Sequence, residues 1–163
     1  MSKRSDKPFV AVDCGLLSKE LAASALFGHE KGAFTGADTK RKGYWEEGDG
    51  GTLFLDEIGN LSLEVQQMML RALESKRYRP IGGNKEKAAD VRIIAATNED
   101  MQSAIAEKRF RQDLFHRIKE YTLNIPPLRE CCEDIMPLAE FFRELANKEF
   151  GKQVKGFDAE ARK

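Results

Sequence analysis

The sequence lacks any long apolar run and any excess of charge of one sign. Its 163 residues include 27 basic and 27 acidic side chains, so the formal net charge is zero. No apolar stretch approaches the about 18 residues that would cross a membrane, so we expect no membrane contact. The apolar run that follows the basic N-terminus is also too short for the core of a signal peptide, which favours a cytoplasmic location. The balanced charge gives the molecule as a whole no attraction for nucleic acid.

Cysteine and proline are scarce as well. The three cysteines, Cys14, Cys131 and Cys132, are an odd number without CxxC spacing. This pattern favours reduced, structural thiols over a disulfide framework or a zinc site. With five prolines and 41% apolar residues, the chain is typical of a folded domain with a real core.

Short apolar runs alternate with stretches of helical period, which predicts an α/β fold with a parallel sheet. We expect strands at residues 9–12, 52–55, 91–96 and 121–125. The middle two are continuously apolar, so both of their faces should be buried.

Three helices are expected from apolar residues at helical spacing. They are a helix that ends at Gly28, one that begins near Ser62, and one over residues 134–150 that is capped by Gly151. Residues 82–90 are polar and contain glycine, which predicts an exposed loop.

The strongest candidate site is the apolar strand that ends in two carboxylates, Asp56 and Glu57. Ligands of parallel α/β sheets bind at the carboxyl ends of the strands. Neighbouring strand residues point to opposite faces, so the two carboxylates should have different roles. One can hold a hydrated Mg²⁺ while the other polarises a water for attack on a phosphate. The alternative is a pair of solvated carboxylates at a strand end.

Three further polar residues are candidates for the same chemistry. Asn98 follows the next strand and could hydrogen-bond a phosphate or the attacking water, although an asparagine there commonly just starts a turn. Arg111 and Arg117 carry the permanently charged donors that stabilise a phosphoryl transition state, including one in a neighbouring subunit. Surface salt bridges are the alternative for both arginines.

Residues 28–37 read GHEKGAFTGA and place Phe34 among glycines and small residues. Such a segment does not form a stable helix, so we expect a flexible loop. An exposed Phe34 would be a contact for a partner protein, whereas the alternative has the ring folded back onto the body.

Together these segments resemble the AAA+ central domain of bacterial sigma-54-dependent transcription activators, the enhancer-binding proteins. Residues 32–37 match the GAFTGA loop of that family, 50–58 its Walker B segment, 95–98 its sensor I and 110–117 its arginine-finger region. The resemblance covers about residues 7–157. It implies a P-loop-type parallel sheet flanked by helices over residues 1–130, and the beginning of a helical lid over residues 131–163.

The resemblance also implies cofactors, partners and residue roles. ATP and Mg²⁺ would be the cofactors of the complete domain. Asp56 would hold Mg²⁺ through water, Glu57 would activate the catalytic water and Asn98 would contact the γ-phosphate. Arg111 and Arg117 would serve the nucleotide of a neighbouring subunit in a ring, usually a hexamer. Gly50 and Gly51 are assigned to the nucleotide site, and the sigma-54 contact to Gly32, Ala33, Phe34, Thr35, Gly36 and Ala37.

Two of the departures of this sequence from the family concern the nucleotide site. Phosphate binding of this type needs G-x-x-x-x-G-K-[ST], yet the only Gly–Lys pair, Gly151–Lys152, is followed by glutamine. We therefore expect a piece cut at both ends, without the Walker A strand and loop. Asp13 stands where many relatives carry asparagine, and an acid there would repel Glu57 if it is close.

The resemblance thus implies a module that couples ATP hydrolysis to the remodelling of sigma-54 RNA polymerase for promoter opening, in a two-component regulator whose DNA-binding domain lies elsewhere. The chain by itself is expected to lack ATPase activity. Two alternatives stay open. One is a surface that only binds sigma-54; the other is a subunit of an unrelated AAA+ machine, which would leave Phe34 and Thr35 unexplained.

Overall fold

The protein is described by a computed structural model over residues 2–161. In chain order its elements are β1 (Phe9–Asp13), α1 (Ala22–Phe27), α2 (Tyr44–Glu47), β2 (Thr52–Asp56), α3 (Leu63–Ser75), β3 (Arg77–Tyr78), β4 (Lys87–Ala88), β5 (Arg92–Ala95), α4 (Met101–Ala106), α5 (Gln112–Ile118) and α6 (Ile135–Phe150). β1, β2 and β5 form a parallel sheet in the order β1-β2-β5. The predicted α/β fold with a parallel sheet flanked by helices is confirmed.

The three strands of this sheet are the first three that the sequence predicts. Phe9 pairs with Thr52 and Asp13 with Asp56, while Thr52 pairs with Arg92 on the other side of β2. Because all three strands run in the same direction, their carboxyl ends meet at one edge. The register therefore brings Asp13, Asp56 and the residues after β5 together.

The two faces of the sheet are not equally covered. Leu53 and Leu55 of β2 are fully buried, whereas Phe9 and Ile94 on the opposite face are exposed to 63% and 40%. The expectation that the middle strands are buried on both faces holds for one face only. Parallel sheets normally have both faces covered, so Phe9 and Ile94 form an apolar surface on this chain.

The prediction of a fourth strand at residues 121–125 is wrong. Tyr121, Leu123 and Ile125 are exposed to 99%, 84% and 84%, and the segment is assigned to no strand. Alternating apolar residues form a strand only when a neighbour accepts and donates the ladder hydrogen bonds. Among the described strands, none pairs with this segment.

The predicted helix ends are largely confirmed. The Ser62 hydroxyl accepts a hydrogen bond from the Val65 backbone N–H at the start of α3, and Gly151 ends α6 with φ of 61°. Gly28 ends α1 with φ of 76°. A side chain on Gly28 would lie 2.6 Å from the Arg41 carbonyl oxygen, so glycine is required there. α1 begins at Ala22.

A short hairpin occupies part of the segment that was predicted as a loop. β3 and β4 pair antiparallel, and Tyr78 of β3 and Lys87 of β4 both donate hydrogen bonds to the Glu46 carboxylate of α2. Lys87 foremost, and Tyr78 after it, lower the pKa of Glu46, while burial and this contact raise the pKa of Tyr78. Strands of two residues have no periodicity to detect, which explains the missed hairpin.

The chain divides into two compact units, Met1–Tyr121 and Thr122–Lys163. The first contains the sheet and its core, where Trp45 and Phe27 stack with ring centroids 5.3 Å apart. The second contains α6. The predicted division after residue 130 stays a prediction. In residues 2–161 no helix is both long and apolar enough to span a membrane.

Candidate functional site

Two carboxylates lie at the end of β2. Asp56 is the last residue of the strand, and its Oδ1 accepts a hydrogen bond of 3.0 Å from the Glu57 backbone N–H. Glu57 has a left-handed backbone, with φ of 50°, and leads into a 3₁₀ turn over Ile58–Asn60. The direction of Glu57 is therefore set by this turn and not by the alternation of a strand. Asp56 and Glu57 are adjacent and differently oriented, as a division of roles requires.

The Glu57 carboxylate has a neutral donor close by. Asn60 Nδ2 donates to Glu57 Oε2 over 2.9 Å, and Asp13 Oδ1 accepts from the Gly15 N–H over 2.8 Å. An added Cβ at Gly15 would lie 2.4 Å from Glu57 Oε2 and 3.1 Å from Asp13 Oδ1. The two acids thus border the same glycine, and each has its own donor. Asn60 was not identified from the sequence, although its spacing of three from Glu57 is a usable signal.

The charge at this edge is negative. Burial foremost, and then the nearby Asp13, Asp56 and Glu57, together raise the pKa of the Cys14 thiol to about 12. Carboxylate oxygens are the ligands that Mg²⁺ prefers, and Mg²⁺ usually keeps several waters. Within the described part of the chain no three acidic, cysteine or histidine side chains converge to enclose a metal. The donor set therefore fits a Mg²⁺ that Asp56 holds through water, not a closed metal cage.

Asn98 lies exposed at the same edge of the sheet. The ladder between β2 and β5 continues past the last strand residues, because the Ala96 N–H donates to the Leu55 oxygen over 2.8 Å and the Ile58 N–H to the Ala96 oxygen over 3.1 Å. These bonds hold the segment before Asn98 beside the turn that follows Asp56. The structure thus brings Asp56, Glu57 and Asn98 to one edge.

Gly50 and Gly51 lie at the other end of β2, away from Asp56. A side chain on Gly51 would lie 2.0 Å from the Pro8 carbonyl oxygen, and the Thr52 N–H donates to that oxygen over 2.8 Å. Gly51 therefore permits the close approach of two backbones. The structure does not bring Gly50 and Gly51 together with the carboxylates.

The two arginines lie around α5. Arg111 immediately precedes the helix, and its guanidinium forms a two-point pair with Asp113, at 3.0 and 2.7 Å. This pair raises the pKa of Arg111 and lowers that of Asp113. Arg117 lies inside α5 and makes only long contacts, 3.4 Å to the Leu73 oxygen and 3.5 Å to Glu120. Since Arg111 is outside the helix, helical spacing does not relate the two side chains.

A buried amide connects the arginine segment to the carboxylate edge. Gln66 of α3 is fully buried, and its Nε2 donates to the Leu61 and Arg109 carbonyl oxygens over 2.7 and 3.0 Å. Its Oε1 accepts from the Arg111 backbone N–H over 2.8 Å. Gln66 is not among the site residues that the sequence predicts. Its position three residues before Met69, on the apolar side of α3, is the signal that could have identified it.

The glycine-rich loop at residues 32–37 is closed by its own backbone. The Gly32 N–H donates to the Ala37 oxygen over 2.8 Å, and the Ala37 N–H to the Phe34 oxygen over 3.0 Å. Phe34 is 37% exposed, and its ring lies edge-on to that of His29, with centroids 5.0 Å apart. Both expectations for Phe34 are thus met in part, because one side of the ring packs and the other faces solvent.

His29, which contacts the Phe34 ring, is itself held by a buried contact. His29 is buried, and its Nδ1 lies 2.7 Å from the Ser24 hydroxyl. Thr35 and Gly36 are exposed, whereas Ala37 is buried. Of the six residues predicted to contact sigma-54, Ala37 therefore has a packing role in this conformation.

Several known proteins are similar to this chain. Residues 1–124 match the family described as the Sigma-54 interaction domain. The chain is 47% identical over 160 residues to the transcriptional regulatory protein ZraR of Klebsiella oxytoca, and 48% identical over 154 residues to the DNA-binding transcriptional regulator NtrC of Escherichia coli. These matches cover 98% and 94% of this chain but only 36% and 33% of the relatives. The chain therefore spans about a third of their length.

Solved structures are also similar to this chain, and it again spans about a third of their length. The crystal structure of NtrX from Brucella abortus is 34% identical and superposes with a TM-score of 0.91, over 98% of this chain and 36% of that one. NtrX in complex with ATP superposes with a TM-score of 0.86 at the same identity, over 96% of this chain.

Proposed function

Because the chain belongs to the Sigma-54 interaction domain family, we propose that it is the part of a transcription activator that contacts sigma-54 and contributes to ATP hydrolysis. Hydrolysis by the complete protein would drive the remodelling of sigma-54 RNA polymerase that opens the promoter. The observation that carries this proposal is the edge of the sheet where Asp56, Glu57 and Asn98 meet, in a chain that shares 48% identity with NtrC over 154 residues.

In this proposal the residues at the sheet edge divide the chemistry. A bound Mg²⁺ neutralises charge on the phosphate oxygens. Asp56 holds that ion through water, Glu57 accepts a proton from the attacking water, and Asn98 hydrogen-bonds the γ-phosphate. Asn60 keeps the Glu57 carboxylate in place through the 2.9 Å hydrogen bond.

The arginines act on a second subunit in this proposal. Arg111 and Arg117 have side chains exposed to 35% and 47%, so both can reach a molecule packed beside α5. A guanidinium supplied from a neighbouring subunit stabilises the charge of a phosphoryl transition state. This arrangement requires a ring, which we propose to be a hexamer.

Phe34 and Thr35 form the proposed contact with sigma-54. The exposed side of the Phe34 ring provides an apolar contact, and Gly32 and Gly36, both with positive φ, let the loop change its shape. In this proposal the loop acts on sigma-54 through contact alone, and its residues take part in no chemical step.

A single substitution separates this function from a purely structural role of the ring. In a chimera in which this chain replaces the matching third of Escherichia coli NtrC, Phe34→Ala should abolish sigma-54 binding and promoter opening. ATPase activity should stay within a few fold of normal, and the melting temperature should change little because the ring is partly exposed. Lys31→Ala, an exposed change on the same loop, is the matched control and should retain sigma-54 binding. A destabilised chimera that loses hydrolysis and binding together would contradict the proposal.

A second candidate function applies to the 163-residue chain by itself. Its sequence contains no G-x-x-x-x-G-K-[ST] motif, which favours a sigma-54-binding surface without hydrolysis. ATPase measurements on the chain alone and on the chimera distinguish the two functions.

A further inference from the structure

We infer that Gln66 is a positioning residue, which ties the arginine segment before α5 to the turn that follows Glu57. The inference rests on the proposed role of Arg111 in hydrolysis. It adds a connection within one subunit, between the residues that serve its own nucleotide and the arginine that it offers to a neighbour.

The geometry of the Gln66 amide supports this role. The side chain is fully buried and makes three hydrogen bonds, all to backbone atoms. One partner, Leu61, directly follows the 3₁₀ turn over Ile58–Asn60. The other two, Arg109 and Arg111, are 43 and 45 residues away in sequence. A single side chain therefore bridges two segments that are otherwise far apart along the chain.

The residue type is matched to the task. Only a primary amide presents two N–H donors and a carbonyl acceptor at the end of one uncharged side chain. Arg111 directly precedes α5, so its N–H lies outside the helix, and the Gln66 oxygen accepts a hydrogen bond from it. An apolar residue at this position would leave one donor and two carbonyls without these partners, at places that are buried or partly buried.

The consequence for Arg111 follows from where it is held. Gln66 fixes its backbone, and the pair with Asp113 then fixes its guanidinium, at 3.0 and 2.7 Å. A displacement of the turn after Glu57 moves Leu61, and the Gln66 amide passes this movement to the Arg111 backbone. The Gln66 side chain thus determines the position of Arg111 relative to the carboxylate edge of the same subunit.

The first test measures the hydrogen bond itself in the 163-residue chain. Gln66→Met removes the amide at similar volume, and we expect hydrogen exchange of the Arg111 amide to become about tenfold faster or more, because it loses its acceptor. Amides of β2 should change much less. Gln67→Met makes the same substitution at the exposed neighbouring position and should leave the Arg111 amide unchanged.

A buried control separates this local effect from general loss of stability. Met69→Ala creates a cavity in the same helix and should accelerate the Arg111 and β2 amides alike. If Gln66→Met also accelerates them alike, or leaves the Arg111 amide unchanged, the inference is overturned.

The second test uses mixed rings of the chimera and asks which site Gln66 serves. Glu57→Gln retains its arginines, whereas Arg111→Ala retains its carboxylates, so an equal mixture of these two variants should recover ATPase activity. Gln66→Met should be rescued by Glu57→Gln, which offers intact arginines to its site. A mixture of Gln66→Met with Arg111→Ala should not recover ATPase activity, because the arginine of the Gln66→Met subunit is misplaced.

Each result of this test has a definite meaning. Rescue of Arg111→Ala by Gln66→Met, or failure of both mixtures, overturns the inference. Failure of the Glu57→Gln and Arg111→Ala mixture, with rings shown to form, overturns the proposed action in a neighbouring subunit; hydrogen exchange of the Arg111 amide then decides on Gln66 alone.

Discussion

At the scale of single residues, the proposed hydrolysis depends on the division between Asp56 and Glu57. Glu57 leaves the strand with φ of 50° and accepts a hydrogen bond from Asn60. Asp56 ends the strand and accepts one from the Glu57 backbone. The two side chains are therefore held by different groups, and each can be altered without removing the support of the other.

Substitution of Glu57 should separate hydrolysis from binding. In the chimera, Glu57→Gln should leave Mg-ATP affinity close to normal but lower kcat by about 100-fold or more, since it removes the base and keeps the metal site. Asp56→Asn should weaken both. Calorimetry and steady-state ATPase rates measure the two effects. Near-normal turnover of Glu57→Gln would contradict the assignment of the base.

The residues of the site were accessible from sequence to different degrees. Asp56, Glu57 and Asn98 follow apolar strands, so the strand pattern alone indicates that they meet at one edge. The role of Gln66 could not be assigned, because two of its three partners are backbone groups 43 and 45 residues away along the chain. A sequence shows that a polar side chain lies on an apolar face, but not which buried carbonyl it satisfies.

At the scale of elements, Glu46 connects α2 to the β3–β4 hairpin. Its carboxylate accepts from Tyr78 and Lys87, and Lys42 adds an ion pair at 3.5 Å. The side chain is 25% exposed, so these contacts are only partly screened by water. Two strands of two residues are marginally stable by themselves, so this carboxylate adds support to the hairpin.

Removal of this charge should have a pH-dependent cost. Glu46→Gln should lower the free energy of unfolding by about 1–2 kcal/mol near neutral pH, because charged hydrogen bonds are replaced by neutral ones. The pKa of Glu46 lies below its ordinary value of 4.5, so its contribution is present above that pH and is lost as the pH falls through the lowered value. The difference between the two proteins should therefore shrink in urea titrations below about pH 4. A gap that stays constant as the pH falls well below that point would show that Glu46 acts by packing alone.

The elements that the sequence predicted are those with strong local signals. β1, β2 and β5 are apolar runs, and α3 and α6 have a capping serine and a capping glycine. The strand expected at residues 121–125 has an equally clear alternation of apolar residues. It fails because a strand also needs a partner, which no local pattern supplies.

At the scale of the whole molecule, the carboxylate edge and the phosphate-binding residues are separate requirements. In the proposed function, Asp56, Glu57 and Asn98 supply groups for a metal, a water and a phosphate oxygen. A triphosphate also needs a cradle of backbone N–H groups and a lysine, as G-x-x-x-x-G-K-[ST] provides. The sequence contains no such motif. The negative charge around Asp13, Asp56 and Glu57 also repels a triphosphate that arrives without its metal.

The 163-residue chain alone should therefore bind Mg-ATP weakly or not at all. Calorimetry should detect no binding in the low micromolar range, which corresponds to about −8 kcal/mol. The chimera with Escherichia coli NtrC is the positive control and should bind, since its remaining segments come from a protein of the same family. If the chain alone binds at low micromolar concentration, Asp56→Asn decides what holds the ligand. Loss of that binding would place the triphosphate at the carboxylate edge, with some other segment binding its phosphates. Unchanged binding would place the triphosphate elsewhere on the chain. Either result would contradict the prediction that the chain alone lacks the groups that bind a triphosphate.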